Sequence, residues 1–193
     1  MNWRVCFLFL NTKFLFIILS FFLFIHCSSD NDKKKKEIKD IVNTWLSRVI
    51  EIPESLEPIL INATAHDAFD TYSQKIIVYI NSAGCVECSL GKSLPYWAQN
   101  IKEIESTELK NKTCFIFIIN SNNPKQVASH FHNTQFNYPI YFDHTDEFNK
   151  RNRLPENPLF HVMLLNKENK VLLIGSPVNN DKMWNMYKKH IIE

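Results

Sequence analysis

The sequence predicts an α/β fold, a central mixed β-sheet flanked by helices, carried by residues 73–193 behind an N-terminal helical extension. Three observations point there. From Lys75 onward, apolar runs of strand length alternate with segments of helical period. One of these runs, Ile76–Ile80, ends in Asn-Ser-Ala-Gly84 and passes directly into an amphipathic pattern. At that junction stand two cysteines three apart, Cys85-Val-Glu-Cys88.

The first 26 residues are set apart from the fold. Arg4 and Lys13 supply a basic start, and Phe14–Ile25 is an apolar run broken by Ser20. It is shorter than the ~20 residues of a spanning helix, so it reads as a signal peptide. Cys27 follows at once, and then the polar run Ser28-Ser-Asp-Asn-Asp-Lys. Residues 27–36, with four consecutive lysines, are expected to be a solvated tether.

Residues 37–72 form an extension to the main domain, too short for a core of their own. Ile38, Ile41, Val42, Trp45, Leu46 and Val49 share a helical face, which predicts a helix from Glu37 to Ile50. Pro53 and Pro58 bracket an extended piece, and Ile59-Leu-Ile61 predicts a small strand or staple.

In the main domain, Ile76–Ile80 is the first predicted strand. Leu90, Leu94, Trp97, Ile101 and Ile104 recur at spacings of four and three, predicting a helix from Cys88 to about Ser106. Cys114–Asn120 is apolar on both faces and so central in a sheet. Asn123-Pro124 opens a short helix carrying Val127, Ala128 and Phe131. Tyr138–Phe142 is a short strand and Asp146–Arg151 a helical turn. Leu159–Leu165 and Val171–Gly175 are strands joined by the polar loop Asn166–Lys170. Asn180-Asp181 caps a last helix with Met183, Trp184, Tyr187, Ile191 and Ile192.

The charge balance, 22 Lys+Arg against 20 Asp+Glu, argues against a nucleic-acid partner. Only 3 glycines occur, so each is expected to mark a backbone requirement. Of the five cysteines, Cys6 lies within the signal segment and Cys114 opens an apolar run, where it reads as a small core residue. With Cys27 set aside at the end of the signal segment, Cys85 and Cys88 remain as a pair at a strand-to-helix junction. Unpaired N–H groups and the positive end of the helix dipole favour a thiolate there. A second thiol one turn along can resolve a mixed disulfide within the same chain. A structural zinc site needs four ligands, and no second Cys-x-x-Cys is present. His130 and His132 read as surface residues, and His144 carries no assignment. His161 reads as a satisfied polar group near the dithiol.

The order βαβαβ(α)ββα, with Cys-x-x-Cys between the first strand and helix, resembles the thioredoxin fold. It looks most like the membrane-anchored thioredoxin-like and peroxiredoxin-like lipoproteins of Gram-negative bacteria, over roughly Lys75 to His190. Cys27 resembles the lipidated cysteine of a lipobox, although His26 replaces the small residue expected before it. Asn157-Pro158 stands where the family carries a cis-proline before the third core strand. The resemblance implies that Pro158 packs opposite the dithiol and orients substrate, with Asn157 and Gly84 as further substrate-facing positions. Tyr138-Pro-Ile-Tyr-Phe-Asp143 looks like the strand inserted in the periplasmic and peroxiredoxin-like branch. Four departures stand out: Gly84 replaces the usual tryptophan, Tyr79 replaces a buried acid, Val86-Glu87 replaces Gly-Pro, and Pro95 lies two residues further on than usual. The threonine–cysteine signature of a peroxidatic site is missing.

The resemblance therefore implies a lipid-anchored thiol–disulfide oxidoreductase on the periplasmic or outer-membrane side of the envelope. Cys85 attacks, Cys88 resolves, and no metal or organic cofactor is needed. Its partners are disulfide-bearing proteins and a redox partner. Glu87 opposes the helix dipole and favours the reductase direction. The competing expectation is a binding lipoprotein of the same fold with a structural disulfide.

Overall fold

The structure, a computed structural model, describes residues 30–59, 71–81, 86–121, 123–125, 127, 131, 136 and 138–192; the side chains of 57, 59 and 86–90 also lie outside that description. The expectations for the signal peptide, Cys27, Gly84, Cys85, Ala128, His130 and His132 thus fall outside the described residues. The chain divides into two units, residues 1–44 and 45–193.

Among the described residues, 30–45 are helical and form α1. Residues 30–36, within the stretch expected to be a tether, are therefore helical. Lys33–Lys36, Glu37 and Lys39 are good helix formers uninterrupted by Gly or Pro, so the composition that keeps them out of a core still favours a helix. Residues 31–40 are all exposed. The helix stops before the expected Ile50, because Ser47 turns to a left-handed φ of 67°.

The second unit is one six-stranded mixed sheet in the order β1-β4-β3-β2-β5-β6. Its strands are β1 Glu57–Ile59, β2 Gln74–Ile80, β3 Thr113–Ile119, β4 Ile140–Phe142, β5 Val162–Asn166 and β6 Val171–Ile174. β2, β3 and β4 run parallel, and β5 pairs antiparallel with β2. β3 is buried along its whole length, as its two-faced apolar run requires. β1 adds to β4 antiparallel at one edge, a place that tolerates Pro58.

Three helices of this unit are α2 Val86–Glu105, α3 Glu147–Asn152 and α4 Asp181–Ile192. Asn180 caps α4 as expected, its Oδ1 accepting from the Met183 N–H at 3.1 Å. Ile76 and Val78 of β2 share one core with Phe115 and Phe117 of β3, Trp97, Ile101 and Ile104 of α2, and Trp184, Tyr187 and Ile191 of α4. Alternation sends Ile77 and Tyr79 to the opposite face. There Tyr79 meets Phe148 of α3, with ring centroids 5.5 Å apart.

Residues 45–59 strap that second face. At one end Ser47 N–H donates to Val171 O (2.8 Å), and Val171 N–H donates to Arg48 O (2.9 Å), along the β6 edge. At the other end the chain becomes β1 on β4. Midway, Asn152 of α3 holds Glu51 by both its amide groups, at 2.9 and 2.8 Å.

The glycine after β6 is a true backbone requirement. Gly175 has φ 133°, and a Cβ there would stand 2.9 Å from the Met183 methyl carbon. Its carbonyl accepts the Tyr187 hydroxyl at 2.9 Å, fixing α4 to the sheet.

Candidate functional site

β2 is an interior strand, and its carboxyl end feeds the segment that carries the cysteine pair. α2 starts at Val86, the residue after Cys85, and Cys88 is its third residue. Cys88 thus lies in the first turn of this 20-residue helix, while Cys85 is outside the described residues. Pro95 sits exposed within α2.

Beside this junction lies a cavity of 420 Å³, between the end of β2, the third and fourth turns of α2, the start of β5 and the turn after β6. Its apolar wall includes Val78, Ile80, Trp97, Val162 and Val178. Polar groups come from Asn81, Ser93, Ser176, Glu156 and His161, and Pro158 lies on its lining. Trp97 is 1% exposed and packs edge-on to Phe117, with centroids 5.8 Å apart.

Pro158 is therefore at the cavity, but not in the form expected. The described residues contain no cis peptide bond, so Asn157–Pro158 is trans. Pro158 opens a 3-10 turn over Pro158–Phe160, a position that suits its fixed φ and missing N–H. Asn157 is the cap of that turn: its Oδ1 accepts from Leu159 N–H at 3.0 Å. The strand expected from Leu159 consequently begins only at Val162. The residue that abuts β5 is His161. Its carbonyl accepts from the Tyr79 N–H at 3.0 Å and so extends the β2–β5 ladder by one bond.

His161 is 5% exposed. Its Nε2 lies 2.8 Å from the Pro155 carbonyl. A carbonyl can only accept, so Nε2 carries the proton and Nδ1 is the free acceptor of the neutral ring. Burial pushes the imidazole pKa below its usual value, against weaker upward pulls from Pro155 and Asp146. Its ring stands edge-on to Tyr79 at 5.4 Å.

Tyr79 occupies the position where the resemblance placed a buried acid. Its hydroxyl donates to Asp146 Oδ1. Burial first, and then the Asp146 carboxylate, push the phenol pKa far above its ordinary value, so the ring stays neutral. Asp146 also accepts from Asn149 Nδ2 at 3.0 Å and adopts a left-handed φ of 59°. Its neighbour Asp143 caps α3 instead, accepting from Glu147 and Phe148 N–H groups at 2.8 Å each. A carboxylate is thus held behind β2 by way of Tyr79, from an element remote in sequence. Periodicity gave no signal for that pairing; nor did it single out Glu156, Ser93 or Ser176.

Cys114 is a buried free thiol, 1% exposed, as expected of a core residue. Burial pushes its pKa up to about 12 despite a nearby downward pull from Lys75. Lys75 is itself fully buried, its ammonium donating to Lys167 O (3.1 Å) and Asn169 Oδ1 (2.9 Å) in the β5–β6 loop. His144 is exposed and stacks on Phe142. No group of three or more potential metal ligands clusters among the described residues.

No family model matches the chain, and no curated protein does. Solved structures do. A thiol-disulfide isomerase from Corynebacterium glutamicum superposes with a TM-score of 0.53 at 12% identity, covering 76% of this chain and 97% of that one. The thioredoxin domain of a thiol-disulfide oxidoreductase from Bacteroides vulgatus gives 0.48 at 12% identity, covering 63% and 81%. StoA from Bacillus subtilis gives 0.46 at 17% identity, covering 69% and 99%. With its parallel β2-β3-β4 core, antiparallel β5-β6 and flanking helices, the chain has the thioredoxin-like fold.

Proposed function

We propose that this chain is a thiol–disulfide oxidoreductase, working outside the cytoplasm from a lipid anchor on Cys27. The observation that carries the reading is the placement of Cys85-Val-Glu-Cys88 in the thioredoxin-like fold: β2, an interior strand, ends just before it, and a 20-residue helix begins at Val86. Helix N–H groups and dipole at that point favour the thiolate of Cys85.

In the favoured reductase direction, Cys85 thiolate attacks one sulfur of a substrate disulfide. A Cys85–substrate bond forms, the substrate S–S bond breaks, and one substrate thiolate leaves with a proton from solvent. Cys88, deprotonated, then attacks Cys85 sulfur, releasing the second substrate thiol and leaving the protein as the Cys85–Cys88 disulfide. Two electrons pass from the dithiol to the substrate, and a redox partner must return them. No metal or organic cofactor enters these steps. In this reading Asn157, Pro158 and Gly84 are assigned to binding the substrate backbone, as the resemblance implies.

The test is a Cys88→Ala chain mixed with disulfide-bearing protein. Accumulation of a mixed disulfide on Cys85, read by intact mass, supports exchange. The wild-type couple should equilibrate with glutathione within about −120 to −270 mV. An inert bond below about −300 mV would instead favour the same fold used as a binding lipoprotein. Loss of labelled fatty acid on Cys27→Ser tests the anchor.

A further inference from the structure

We propose that the cavity at the β2–α2 junction selects disulfides flanked by a cationic side chain, and that Glu156 is the residue that makes the selection. This rests on the exchange reading above and names its substrate class: protein segments with a Lys or Arg next to the reacting cysteine.

The described lining of the cavity is poor in charge. Val78, Ile80, Trp97, Val162 and Val178 are apolar, and Asn81, Ser93 and Ser176 are neutral. Tyr79 and His161 are the other ionisable lining groups among the described residues. Tyr79 stays a phenol, and His161 is buried with its pKa lowered, its Nε2–H already spent on Pro155. Glu156 is left as the formal charge of the described lining. It is exposed and forms no ion pair among the described residues. A carboxylate at the mouth of a cavity whose described lining is otherwise uncharged sees less screening on its protein side and focuses a negative potential on what enters. Beside Glu156 in that lining stand the apolar Pro158, Val162 and Val178. An aliphatic stem ending in a cation matches both surfaces: the stem lies on the apolar lining and the head meets the carboxylate. An acidic flank meets repulsion instead. Charge at such a rim acts mainly on encounter and partner choice.

The experiment follows oxidation of the reduced full chain by three disulfide peptides that differ only in the residue beside the cysteine: Lys, Gln or Glu. The expected order of rates is Lys, then Gln, then Glu. The Lys-to-Glu ratio should be about fivefold at low salt, the size of one exposed ion pair set against one like-charge repulsion, and should shrink as salt is added. Glu156→Gln should bring the ratio close to one, and Glu156→Lys should reverse the order. Equal rates with the wild-type chain overturn the proposal. So does an order that survives Glu156→Gln and disappears in Glu87→Gln, which would assign the selection to the residue between the cysteines. If none of the three peptides reacts, the exchange reading itself falls, and that outcome is distinct from unselective reaction.

Discussion

The Tyr79 hydroxyl donates to the Asp146 carboxylate, tying the penultimate residue of β2 to the residue that opens α3, 67 positions away. The contact fixes α3 against the second face of the sheet near the carboxyl end of β2. It also holds a charge behind the strand without placing an ionised group on it.

Tyr79→Phe keeps the ring against Phe148 and His161 and removes the hydroxyl. Unfolding in urea should show a loss of ~1.5–3 kcal/mol, the range for a hydrogen bond to a charged group. Paired with Asp146→Asn in a double-mutant cycle, the two losses should be markedly less than additive.

His161 has its pKa lowered by burial, so the folded state favours the neutral ring. Its contribution to stability is complete above the unfolded value of about 6.5 and is lost as pH falls from there toward the lower folded value. Denaturation midpoints of the wild-type chain should therefore drop between about pH 7.5 and about 5. His161→Gln should lose that part of the slope.

Cys114 is sealed in the sheet with a thiol pKa pushed up to about 12. Alkylation of the reduced, folded chain near neutral pH should modify Cys85 and leave Cys114 untouched, with Cys114 labelled only on unfolding. Mass mapping after a short pulse distinguishes them. Labelling of Cys114 in the folded state would contradict its burial.

Trp97 joins the core to the cavity, touching Tyr96, Phe115 and Phe117 edge-on at 5.9, 6.2 and 5.8 Å. Trp97→Ala should cost ~3–5 kcal/mol by the lost packing and the void left behind. Trp97→Phe should cost less, and the comparison separates loss of fold from loss of exchange.

Much of the fold was legible because strand and helix periods are strong where one face is buried. Ile76–Ile80 lies within β2, the doubly apolar run from Cys114 is the interior β3, and Asn180 caps the last helix. Local chemistry misled where two signals competed. Asn157-Pro158 reads as an entry to a strand, yet proline at the first position of a turn and an Asn cap favour the 3-10 turn that pushes β5 back to Val162. The lysine run reads as solvated, which it is, but solvation does not prevent a helix. The Tyr79–Asp146 pair and the place of Glu156 at the cavity depend on which loops converge at the end of the sheet, information that exists only in three dimensions.

The strap over residues 45–59 has a consequence for solubility. One end occupies the hydrogen-bonding rim of β6 and the other that of β4. A single proteolytic nick between Ile50 and Leu56 would loosen both ends together, leaving two open strand templates on one sheet. Open templates pair with their own kind. A nicked chain should therefore pass into β-linked aggregates, while the intact chain keeps its sheet at six strands.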